Sequence, residues 1–143
     1  MSRELRAVQN VTVPLQVCHG DLWREHVLFR REQVSGIIDF GAMKVESPAT
    51  DIARLLGSLA GDDPQLWQAG LMAYQQMRPL RDAENRLIEV FDHSTTLLAG
   101  VNWLKWLLLE ERQFDSPRRV LERMDEILER LENLASRQQM GYR

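Results

Sequence analysis

Three short clusters in this chain carry residues able to do acid–base or metal chemistry: His19-Gly20-Asp21, then His26 at the fifth position after that aspartate, then Asp39-Phe40-Gly41. A hydroxyl that attacks a γ-phosphoryl group needs one carboxylate to accept or orient its proton. It also needs a second carboxylate to hold the magnesium that bridges the phosphates. A short hairpin between Asp21 and Asp39 brings two such carboxylates to one mouth. Zinc is a further possibility, because His19, Asp21, His26 and Asp39 are all potential ligands, but their spacing matches no familiar zinc pattern. His93, beside Asp92, reads as a helix-surface or core-edge histidine.

The elements that must position these residues are legible on either side of Ser47. Before it, apolar residues come in short β-branched runs: "VTVPL" (11–15), "VLF" (27–29) and "VSGIIDF" (34–40), the last two joined by the polar turn "RREQ". The first run predicts a strand leading into His19, and the other two predict a hairpin. After Ser47 the pattern turns helical. Ile52, Leu55, Leu56 and Leu59 recur at spacings of three and four, with Ser47 or Thr50 as N-cap and Gly61 as stop signal. Asp63-Pro64 opens a second helix through Leu66, Trp67, Leu71 and Tyr74. Residues 82–112 predict one long helix, or two joined near Gly100, whose apolar stretch from Val101 to Leu109 should form the core. A closing amphipathic helix starts at Asp115 or Ser116 with Pro117 in its first turn.

Read together, "HGDLWREHVLF" and "GIIDFGAMKVESPATDIARLLGSL" resemble the catalytic half of the aminoglycoside phosphotransferase and choline kinase superfamily. That family carries an H-G-D-x-x-x-x-N loop, an apolar-apolar-Asp-Phe segment and an Asp-Leu-Ala helix start. The likeness is continuous from about Val17 to Leu59. It implies an α+β, mainly helical fold, with a small β-hairpin carrying the catalytic loop on a four- to five-helix kinase-like lobe. It further implies ATP and Mg2+ as cofactors and a small-molecule hydroxyl as acceptor.

Residue by residue, the resemblance makes Asp21 the catalytic carboxylate, His19 the brace of its loop and Asp39 the magnesium ligand. Asp51 would support the loop, or it is an ordinary first-turn carboxylate favoured by the helix dipole. His26 stands where the family has Asn. It is either a metal ligand with a softer nitrogen donor, a hydrogen-bond partner of Asp21, or an exposed and idle ring. Trp103 and Trp106, with Glu110, form either a wall for a cationic acceptor or core packing with a solvated end.

The Gly-rich strand-turn and the strand lysine of an ATP-dependent kinase are not found in this sequence, whose lysines are Lys44 and Lys105. The expectation is therefore a single domain over 1–143, equivalent to the C-terminal lobe without its nucleotide-clamping N-terminal lobe. It is the C-terminal part of a phosphotransferase, incomplete or inactive alone, or else a non-catalytic kinase-like binding module. Leu28, Phe29 and Ile38 would then face water, inviting self-association or a partner chain.

Composition narrows the remaining classes. A net charge of −3 offers no basic surface for nucleic acid. One cysteine, Cys18, permits no intrachain disulfide and reads as a buried strand residue in a reducing compartment. No apolar run is long enough for a membrane span, and the start "MSRELRAVQN" lacks a signal-peptide core. A cytoplasmic protein is the expectation.

Overall fold

The computed structural model describes residues 2–140, with side chains from 4 to 137. The fold is α+β and mainly helical: two small antiparallel strand pairs accompany five α-helices among the described residues. The chain divides into two compact units, 1–92 and 93–143, the division falling inside one long helix.

The first unit opens with α1 (Ser2–Val8), which the apolar pattern does not announce. The expected strand over 11–15 does not form. β1 is instead Gln16–Cys18, paired antiparallel with β4 (Lys44–Glu46) in the register Val17↔Val45. Pro14 explains the displacement, since it has no N–H for a ladder and pairing begins only after it. Val11 and Val13 still contribute, packing against the helical core. β2 (Val27–Arg30) and β3 (Gln33–Ile37) form the predicted hairpin. Its turn places Arg31 at φ 58°, and a bulge lies between Leu28 and Phe29.

α2 (Ala49–Ala60) follows the predicted periodicity and stops at Gly61, whose φ of 56° suits a residue without Cβ. Its first turn is held by the Ser47 hydroxyl, which accepts from the Ala49 N–H at 3.3 Å. α3 (Pro64–Met77) begins as its sequence requires, with the Asp63 carboxylate accepting from the N–H groups of Gln65 and Leu66. The core of this unit is Ala49, Ile52 and Ala53 of α2 against Leu87 and Ile88 of α4 (Asp82–Leu104). Cutting Ile88 back to Ala would cost about 2–5 kcal/mol at so buried a position.

In the second unit α4 runs through Gly100 without a break and ends in a π-helical turn, Lys105–Leu109, where the Glu110 N–H reaches the Lys105 carbonyl at 3.0 Å. A Cβ at Gly100 would come within 3.2 Å of Leu131 on α5 (Pro117–Met140), so the glycine serves close helix packing. The expectation that Val101–Leu109 forms the core is overturned: Val101, Leu104, Leu108 and Leu109 are exposed, and among the described side chains of α5 the buried apolar residues are Ile127 and Leu134. An apolar stripe records that a face can be buried, and only the packing of other elements decides whether it is.

Candidate functional site

The loop from His19 to Asp21 is fixed from three directions. From α2, the Asp51 carboxylate accepts from the His19 N–H at 2.6 Å and from the Gly20 N–H at 2.9 Å. A carboxylate in the first helical turn is also favoured by the helix dipole, so one side chain serves both. From the residue just past β3, the Ile38 carbonyl lies 2.9 Å from His19 Nε2. A carbonyl only accepts, so His19 carries its proton on Nε2, and its buried Nδ1 has no hydrogen-bond partner. From the side, the His26 ring donates through Nδ1–H to the Asp21 carbonyl at 2.7 Å.

Gly20 is required where it stands. Its φ is 78°, and a Cβ there would collide with the Ala42 carbonyl oxygen. Any side chain would push the loop off the segment that follows Asp39.

Asp39 reaches the same place because the β2–β3 ladder continues past its end. The Ile38 N–H donates to the His26 carbonyl at 3.0 Å, leaving Asp39 Oδ2 3.6 Å from His26 Nε2. The Asp39 backbone is left-handed at φ 63°, a conformation that aspartate tolerates better than most residues. Its carboxylate is 62% exposed, against 12% for the His26 side chain. Phe40 stacks at a tilt on His19, ring centres 5.1 Å apart, completing the contact between the two halves of the motif.

Two residues that the sequence reading passes over belong to this site. Arg54, one turn beyond Asp51 on α2, forms an ion pair with Asp21 Oδ1. Trp23 donates its indole N–H to His26 Nε2 at 2.9 Å and meets the ring edge-on. Their signals are the i+3 step from Asp51 and the i−3 step from His26, which one helical turn and one 3-10 turn bring together. The 3-10 turn Arg24–His26 is itself moored to α2, the Arg24 N–H donating to the Ser58 hydroxyl at 2.8 Å.

Whether this site suits magnesium is decided by its donors. Asp39 offers exposed, hard carboxylate oxygens of the kind that hold magnesium together with substrate phosphates. His26 offers no free nitrogen, because Nδ1 is spent on Asp21 and Nε2 on Trp23. No cluster of three or more His, Cys, Asp or Glu able to hold a metal by themselves exists among the described residues.

Trp103, Trp106 and Glu110 belong to the second unit, where they are already engaged. Trp103 meets Trp106 edge-on and stacks at a tilt on Phe114. The Arg112 guanidinium sits 4.9 Å over the Trp106 ring, and Glu110 pairs with Lys105 and Arg112. A cationic acceptor there would have to displace the chain's own arginine. His93 lies half-buried on α4. Cys18 is buried at the end of β1, its thiol pushed up by burial and by the Asp51 and Glu46 carboxylates.

A loop with His-Gly-Asp at its apex, tied to a hairpin end bearing Asp-Phe-Gly and to a helical lobe, has the order of elements of a kinase-like C-terminal lobe. Residues 2–85 match the model of the phosphotransferase enzyme family, APH, and the chain belongs to that family. It is similar to the homoserine kinase of Gluconobacter oxydans, at 34% identity over 55% of this chain and 29% of that protein. Homoserine kinase of Beijerinckia indica is 29% identical, covering 80% of this chain and 38% of its own length. That of Methylocella silvestris is 25% identical, covering 90% and 42%. The chain therefore spans between 29% and 42% of the length of these curated relatives. Among solved structures, an aminoglycoside-3′-phosphotransferase of type VIII aligns at a TM-score of 0.46 and 27% identity, covering 63% of this chain and 39% of the other. No described helix is long and apolar enough to cross a membrane.

Proposed function

We propose that these residues are the catalytic-loop part of a phosphotransferase that moves the γ-phosphoryl group of ATP to a hydroxyl of a small molecule. The observation that supports it best is the convergence of the Asp21 loop and Asp39 through His19, His26 and Asp51. Asp21 accepts or orients the proton of the acceptor hydroxyl as that oxygen bonds to the γ-phosphorus and the bond to the β–γ bridging oxygen breaks. Arg54 holds Oδ1 of this carboxylate, which directs Oδ2 to the acceptor. Asp39 holds Mg2+, which when bound neutralises charge on the phosphates. His19 and Asp51 keep the loop backbone in place. A nucleotide-clamping lobe from residues outside this chain completes the machinery, and the chain alone is expected to be incomplete or inactive.

The relatives named homoserine kinase support a small hydroxyl-bearing acceptor. A small amino alcohol is the first candidate, and a cytoplasmic location suits both ATP chemistry and a free buried cysteine. The test is calorimetry of a non-hydrolysable ATP analogue with Mg2+, beside Asp39→Asn, a variant that keeps the left-handed backbone and removes the charge. Metal-dependent binding that the variant loses supports the reading. Equal binding by both proteins refutes it.

A second reading, a non-catalytic kinase-like module, is favoured by one observation: Leu28, Phe29, Ile38 and Phe40 are exposed beside the site. Such a surface suits a partner chain or a second copy. Absence of nucleotide binding in both proteins fits this module and equally a catalytic lobe without its nucleotide clamp.

A further inference from the structure

The contact between Trp23 and His26 carries an inference that rests on the proposed phosphotransfer site and deepens it. A neutral imidazole has one N–H and one lone pair. In His26 the N–H must be on Nδ1, because its partner at 2.7 Å is the Asp21 carbonyl, which can only accept. The lone pair is then on Nε2, and it is met at 2.9 Å by the Trp23 indole N–H, which can only donate. Each group thus selects the state of the next, from Trp23 through His26 to the backbone of Asp21. The ring is nonetheless only 3.6 Å from an Asp39 carboxylate oxygen. With its lone pair exposed, an imidazole beside a carboxylate would be a nitrogen–oxygen clamp, a pairing that suits zinc and its neighbours better than magnesium.

We propose that Trp23 is a metal-specificity residue: its indole N–H occupies the one lone pair of His26, so that nitrogen-seeking metals are kept out and a hard divalent cation is held through Asp39. His26 becomes a positioning residue that pins the Asp21 carbonyl. The replacement of an amide by an imidazole is thereby made compatible with an oxygen-only metal site.

The test reads the ring nitrogens of His26 by 15N NMR of the whole chain, without nucleotide, as zinc chloride alone is added. In the native protein His26 is expected in the Nδ1–H tautomer, with Nε2 unmoved by equimolar zinc. In Trp23→Phe, which frees the Nε2 lone pair, zinc should shift Nε2 with an affinity about 10-fold or more higher, within the span over which groups around a ligand change metal affinity. Adding Asp39→Asn to that variant should abolish the gain. An Nε2–H tautomer in the native protein overturns the proposal, and this measurement needs no variant to fold. Zinc shifting Nε2 equally in both proteins, or in neither, also overturns it. These signals are independent of ATP, so a negative calorimetric result on the phosphotransfer reading leaves them interpretable, and the two claims fail separately.

Discussion

The His19 N–H and the Asp51 carboxylate meet at 2.6 Å across 32 positions of sequence, joining the apex of the loop to the first turn of α2. With the Gly20 N–H on the other oxygen, Asp51 alone satisfies two loop donors. Asp51→Ala removes both acceptors and is expected to cost about 3 kcal/mol, in the range for hydrogen bonds to a charged group. Urea denaturation measures it, and a loss below about 0.5 kcal/mol would mean that the loop does not depend on this tie.

Gly20→Ala should be as damaging by a different route. The added methyl meets the Ala42 carbonyl, and the left-handed backbone adds its own strain. A destabilisation of about 2 kcal/mol or more is expected in the same denaturation assay, together with shifted amide signals at 39–42.

Arg54→Ala separates stability from chemistry. The pair with Asp21 is partly exposed, so the folded state should lose less than about 1 kcal/mol. If Arg54 aims the Asp21 carboxylate, phosphoryl transfer by the complete enzyme should fall about 100-fold, the scale of a misplaced reacting group. Arg54→Lys should recover part of that rate. Unchanged transfer in the alanine variant would remove Arg54 from the site.

Acid should find the Arg78–Glu84 pair. Burial raises the Glu84 carboxyl, but hydrogen bonds from the Arg78 side chain and the Arg81 N–H outweigh it and leave the group below its ordinary value. A carboxyl lowered by folding contributes stability that is fully present above its unfolded value of about 4.3 and lost as pH falls through the folded one. Glu84 is 1% exposed, so Glu84→Gln, which leaves Arg78 without its charge partner, should cost about 3 kcal/mol at neutral pH. The same variant should flatten the acid limb of the stability curve below about pH 4.3.

The residues that made the site legible are those whose spacing has one structural solution. His19, Asp21 and Asp39 stand out because a turn separates them and the β-branched runs around the turn pair as a hairpin. Asp63-Pro64 announces α3 because each residue answers a specific need of a helix start. Arg54 and Trp23 escaped because an arginine on an amphipathic helix and a tryptophan in a loop are commonplace. Their importance lies in which atoms they meet, and that depends on tertiary packing. β1 and β4 are too short for a pattern, and the Val101–Leu109 stripe shows apolar character without saying what covers it.

The central proposal is that Asp21 and Asp39 form the mouth of a phosphotransfer site. The most direct test adds a non-hydrolysable ATP analogue with Mn2+ to the chain and records which amide signals the paramagnetic ion broadens. The expected result is broadening centred on residues 19–21, 26 and 38–41, abolished by Asp39→Asn. Broadening centred elsewhere, or left intact by that variant, would contradict it.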